Sequence, residues 1–143
     1  MSKAPYTHAF FTYTDLRGSL TSMVLGVMLG GALGALCRYL VGLVIQGTLH
    51  TTFPLATLVV NVLGSFLLSL LFYAGTPTLS PTLRLALGTG FLGSFTTFST
   101  FELEASLLIK EARWGGVVLY VGGNLLLGFA AILLGRALAQ RLV

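Results

Sequence analysis

"GSFTTFSTF", Gly93 to Phe101, sets five hydroxyl side chains, Ser94, Thr96, Thr97, Ser99 and Thr100, inside an otherwise apolar segment, with Phe95, Phe98 and Phe101 at every third position. Three glycines, Gly88, Gly90 and Gly93, lead into it. Glycine weakens a helix interior, and Ser and Thr hydroxyls compete with its backbone hydrogen bonds. The stretch is therefore either a softened but continuous helix or one broken near Gly93 to Thr97. At membrane depth a break survives only where the freed backbone is buried in protein or coordinates something. Half-helix ends with exposed carbonyls hold cations in transporters, which makes the break a candidate cation site. GTGFLG, Gly88 to Gly93, also matches the GxGxxG dinucleotide pattern, but no strand precedes it and the match is chance.

Outward from this stretch the chain reads as membrane-embedded. Of its 143 residues 55% are hydrophobic and 8% charged, against roughly 25% charged in soluble domains. Nearly charge-free segments cover residues 23–45, 54–74, 83–109 and 115–136, each meeting the roughly 20 residues that cross a hydrocarbon core of about 30 Å. An all-α integral membrane domain over residues 23–143 follows, with four transmembrane helices and a flexible or interfacial tail at residues 1–22. The short links between segments leave no room for a soluble domain. Asp15 and Arg17 interrupt any apolar core in the tail, so it is no secretory signal.

Composition also excludes functions. The net charge is +4, but the basic residues are scattered singly, so no nucleic-acid patch exists. Cys37 is the only cysteine, which rules out an intrachain disulfide and a cysteine metal cluster. An enzyme needs a nucleophile or an acid/base pair at depth, and the spans lack a central His, Asp or Lys. Four crossings put Lys3, Arg17, Arg84, Arg136 and Arg141 on one side, Lys110 and Arg113 opposite, and Arg38 near the far end of the first helix. The positive-inside rule then gives almost no preferred orientation. Polar residues on several faces cannot all be hidden from lipid in one copy. A homodimer of two oppositely inserted copies hides them by symmetry.

Rows at spacing four recur along the helices. Gly26, Gly30, Gly34 and Gly42 share a row with Arg38, the pattern by which membrane helices approach closely. Arg38 is either an anchor at a pore vestibule or a snorkelling residue, since an unpaired cation at the helix centre costs at least about 2.5 kcal/mol. Thr57, Asn61, Ser65 and Ser69 form a polar row on the second helix. Asn61 has two amide donors, which need either a permanent protein acceptor or an anion that comes and goes. Gly116, Tyr120, Asn124 and Gly128 repeat the row on the fourth. Phenyl rings have a positive edge, so Phe98 and Phe101, sharing a face, either line an anion path or serve ordinary packing, the more frequent use of phenylalanine. Glu104 is expected to face water, and Glu102 to lie within reach of a basic residue such as Arg38. Neutral donors without embedded lysine or histidine suit a small dehydrated anion.

TLVVNVLGSF at Thr57, GFLGSFTTFSTFE at Gly90, GGALGALCRY at Gly30 and YVGGN at Tyr120 together resemble the CrcB/Fluc family of fluoride channels, over about Gly26 to Leu138. The resemblance implies an antiparallel, dual-topology homodimer in the cell (inner) membrane. It implies two pores that pass fluoride without a pump, and a structural sodium ion at the dimer interface. By position it makes Asn61 the pore asparagine, Phe98 and Phe101 the ring pair that touches fluoride, and Tyr120 the fourth-helix tyrosine. Arg38 corresponds to the first-helix arginine near the pore mouth, and Ser99, Thr100 and Glu102 fall in the polar positions of the GFLGSFTTFSTFE string. The carbonyls of Gly93 and Thr96 are the implied sodium ligands. Ser65 and Asn124 continue the polar track. Some members carry serines where Asn124 and Gly128 stand; Asn124 still donates, whereas Gly128 has no side chain to offer. The competing class, a small dual-topology multidrug exporter, needs a carboxylate in the first helix, where this chain has Arg38.

Overall fold

The computed structural model describes residues 20–75 and 79–142. Among them the protein is all helical. Helix α1 spans Leu20–Leu49 and α2 spans Leu55–Leu70, continued by a wider π turn at Leu71–Gly75. The third segment is built in pieces: α3 Pro81–Leu85, a π-helical stretch Ala86–Leu92, a single turn α4 Gly93–Phe95, and α5 Phe98–Lys110. Helix α6 spans Trp114–Leu142. The expected tail lies outside the described residues as far as residue 19, and Leu20, Thr21 and Ser22 belong to α1.

Three described helices are long and apolar enough to cross a membrane: Leu20–Leu49, Leu55–Ala74 and Trp114–Leu142. Their outer faces present Leu, Val, Met and Phe without cover, as in Leu29, Leu33, Val118, Leu126 and Phe129. Such a surface is stable only against lipid or another apolar partner, so this is a multi-pass membrane protein. The third segment supplies no helix of that kind, because its pieces are short.

Local chemistry explains the pieces. Ser80 caps α3, its hydroxyl accepting from Leu83 N–H at 3.3 Å, with Pro81 at the first helical position. Gly88 and Gly90 lie in the π stretch, which the glycine row of α1 touches. A Cβ at Gly30 would overlap the main chain of Ala86, and one at Gly34 that of Phe91. A Cβ at Gly90 would lie 2.8 Å from Val27 O. Bare backbone meets bare backbone here, the close approach that small residues permit in membranes. Gly26 takes part, its Cβ position being 3.2 Å from Ala86 Cβ, whereas Gly42 has nothing within 4 Å. The row expected from sequence thus works over its first three glycines only.

Helix α2 packs along α6. Ser69 Oγ donates to Ile132 O at 2.7 Å, and Gly135 leaves room for Phe66 O and Ser69. The polar row of α2 accordingly faces α6, and at its Ser69 end it joins the two helices by an interhelical hydrogen bond.

Candidate functional site

The continuity of the third segment ends at Thr96 and Thr97, both extended, with φ/ψ of −82°/161° and −153°/121°. Thr96 closes the first half: its N–H and its hydroxyl both donate to Leu92 O, at 3.1 and 3.0 Å. Thr97 opens the second. Its hydroxyl accepts from Thr100 N–H at 3.3 Å, a helix N-cap, and donates to Thr100 Oγ1 at 2.9 Å.

Asn61 of α2 grips the break. Its Oδ1 accepts from Thr97 N–H at 2.9 Å, while Nδ2 donates to Thr97 O at 3.2 Å and to Asn124 Oδ1 of α6 at 2.9 Å. Both donors therefore have permanent protein acceptors, one of the two alternatives open from sequence. The break frees two carbonyls. In an unbroken helix Thr97 N–H would go to Gly93 C=O and Thr100 N–H to Thr96 C=O. The first goes instead to Asn61 and the second to the Thr97 hydroxyl. Gly64 of α2 lets the break come close, since a Cβ there would overlap the Thr96 methyl.

A concavity of about 400 Å³ opens at this point. Asn61, Ser65, Gly93, Thr96 and Phe98 line it together with Gly64, Leu92 and Thr97. Phe98 is 66% exposed. Phe101, one turn on, is only 8% exposed. The two rings tilt against each other at 5.6 Å, and Phe101 continues to Tyr120 at 5.4 Å. Phe53 and Tyr120 meet edge to face at 5.6 Å and 88°. An aromatic ladder thus runs from the break into the core formed by Phe101, Leu108 and Tyr120.

Tyr120 is fully buried and its hydroxyl donates to Glu104 Oε2 at 2.5 Å. Glu104, expected to face water, is half-buried at the end of the ladder and still lines an open concavity with Thr52, Glu111 and Arg113. Helix periodicity carried the signal, because Glu104 shares the inward stripe of Phe101, Ala105 and Leu108. Gly64 was likewise not singled out from sequence, whereas Thr97 was named there as the far end of the break, and threonine is a favoured N-cap residue.

The family model described as CrcB-like protein, Camphor Resistance (CrcB), matches residues 25–136, the span that contains the grip, the break and the ladder. The chain belongs to the CrcB family. Among its relatives, the fluoride-specific ion channel FluC of Acidobacterium capsulatum is 48% identical, the match covering 83% of this chain and 97% of the relative. That of Maridesulfovibrio salexigens is 44% identical over 80% and 92%, and fluoride-specific ion channel FluC 2 of Symbiobacterium thermophilum is 45% identical over 81% and 96%. The CrcB family is one of ion channels, and the protein is not an enzyme.

Other candidate residues of this CrcB chain lie apart from the concavity. Asn124 joins it only through Asn61. Ser99 is exposed and Thr100 half-buried on the first turn of α5. Arg38 is half-buried on α1 and Glu102 exposed on α5, and they form no ion pair; among the described residues the single one joins Arg113 Nη1 to Glu111 Oε2 at 3.3 Å. The same Nη1 reaches Thr52 O at 3.2 Å. No described cluster of three His, Cys, Asp or Glu side chains could hold a metal.

Proposed function

We propose that the protein is a passive, fluoride-selective channel of the cell (inner) membrane, formed by two oppositely inserted copies with four crossings each, two pores, and a sodium ion shared between the copies. The observation that carries fluoride as the ion is the relationship itself: proteins 44–48% identical over nearly their whole length bear the name of fluoride-specific channels. The geometry supports the same reading. Phe98 is exposed and lines the concavity together with Ser65; the edge of a phenyl ring and a hydroxyl both attract an anion without a fixed counter-charge. We place Asn61, Ser65, Phe98, Ser99, Thr100, Phe101, Tyr120 and Asn124 along the path, with Arg38 and Glu102 at its mouths. Hydrogen bonds and ring contacts join Asn61 to Asn124, Thr97 to Thr100, and Phe98 through Phe101 to Tyr120.

The residues at the break fit a hard monovalent cation. Gly93 is exposed, and the carbonyls of Gly93 and Thr96 are deprived of their helical donors, so one copy offers two neutral oxygens and two copies offer four. A sodium ion held there supplies a fixed positive charge joining the copies. Residues of this chain do the rest: Asn61 and the Thr97 hydroxyl hold the carbonyls free of N–H partners, and Gly64 keeps the break against α2.

Fluoride carries one negative charge, so with the cell interior negative each ion leaving gains roughly 2.3 kcal/mol per 100 mV. No pump chemistry is needed. Fluoride efflux from liposomes containing the purified protein, followed with a fluoride electrode, should be fast and should leave chloride inside. Equal chloride release would defeat the selectivity. Absence of fluoride flux, with proton-coupled uptake of an organic cation, would favour the exporter class instead.

A further inference from the structure

We infer that Asn124 is a positioning residue that sets the helix break through Asn61 and so couples α6 to the two freed carbonyls; the part concerning ion flow rests on the channel reading above. One amide, that of Asn61, satisfies both main-chain groups of Thr97, donating to its C=O and accepting from its N–H. That double contact demands a single orientation of the amide. Its second N–H then has one place to go, and Asn124 Oδ1 stands there at 2.9 Å. Turned over, Asn61 would set its oxygen against the oxygens of Thr97 and Asn124 and lose all three bonds.

Asn124 is itself held. Its Nδ2 donates to Tyr120 O, one turn back on α6, at 3.0 Å, and α6 is a continuous helix of 29 residues. The orientation of the Asn124 amide is thus dictated by the main chain of a rigid element and passed on to Asn61, Thr97 and the break. Tyr120, whose carbonyl anchors the relay, also ends the aromatic ladder. The walls of the proposed path and the carbonyls at the break therefore share one support. The same relay keeps Thr97 N–H on Asn61 and away from Gly93 C=O.

The test uses the purified full-length chain in lipid nanodiscs. Hydrogen exchange at the Thr97 amide should be roughly tenfold faster in Asn124→Ala, the size expected from losing one hydrogen bond in a buried relay. It should return part of the way to the parent rate in Asn124→Asp, which keeps an oxygen facing Asn61 but gives up the donor to Tyr120 C=O. Exchange along residues 131–139 of α6 should not change in either variant. Unchanged Thr97 exchange in Asn124→Ala, or equal acceleration in both variants, would overturn the assignment. Should Asn124→Ala not insert, Asn124→Ser, whose hydroxyl falls short of Asn61, decides by the same criterion. In liposomes the sodium concentration giving half-maximal fluoride efflux should rise about tenfold in Asn124→Ala and by less in Asn124→Asp. A fall in flux at an unchanged sodium requirement would overturn the coupling. If the parent protein passes no fluoride, the channel reading fails while the exchange result still judges Asn124.

Discussion

Gly34 and Gly42 stand on the same row of α1, yet alanine at the two sites should have opposite effects. At Gly34 the added Cβ would overlap Phe91 O and come within 2.9 Å of Phe91 C and 3.0 Å of Phe91 Cα. These are main-chain atoms that cannot rotate away, and contact distances near 3.5–4.0 Å require the helices to part by more than about 1 Å. Overpacking of this kind costs about 1–3 kcal/mol, here toward the upper end because Gly30 abuts Ala86 in the same way. Helix propensity returns up to about 1 kcal/mol for Gly→Ala. The net for Gly34→Ala is a loss of roughly 1–2 kcal/mol. At Gly42 nothing lies within 4 Å, so only the propensity gain of up to about 1 kcal/mol remains. The two variants should thus differ by about 2–3 kcal/mol, read as the difference in unfolding midpoint of the detergent-solubilised protein in a graded denaturant. Gly34→Ala proving as stable as Gly42→Ala would show that α1 does not lie on the π stretch as described.

The two phenylalanines of the ladder should separate in the same way. Phe101→Ala, emptying a buried site beside Leu108 and Tyr120, should destabilise by about 3–5 kcal/mol, whereas exposed Phe98→Ile should leave stability within about 0.5 kcal/mol and sharply reduce fluoride efflux; undiminished flux would remove that ring from the path. Tyr120→Phe deletes the donor to Glu104 and leaves a half-buried carboxylate unpaired, which should cost about 1–3 kcal/mol in chemical unfolding; no loss would mean that Glu104 is served by water. Replacing sodium with a large organic cation should slow fluoride efflux or dissociate the dimer in size-exclusion chromatography, and indifference on both counts would argue against a cation at Gly93 and Thr96.

Composition and segment length alone determined that the chain is helical and membrane-embedded, because crossing lipid demands runs of apolar residues whose backbone bonds close within the run. The position of the break was also legible, since glycines and hydroxyls weaken a helix locally whatever surrounds them. So was the resemblance carried by the Gly90–Glu102 string. Tertiary structure decided what each polar residue does. Asn61 presents the same two donors in any context; only the approach of α6 and of the break assigns them to Asn124 and Thr97. Glu104 reads as a solvated carboxylate until Tyr120 of α6 arrives within hydrogen-bond reach. Gly34 and Gly42 are equivalent in a four-residue row and differ only because the π stretch runs beside one and stops short of the other. Periodicity is a property of one helix, whereas a partner is supplied by the packing of a second.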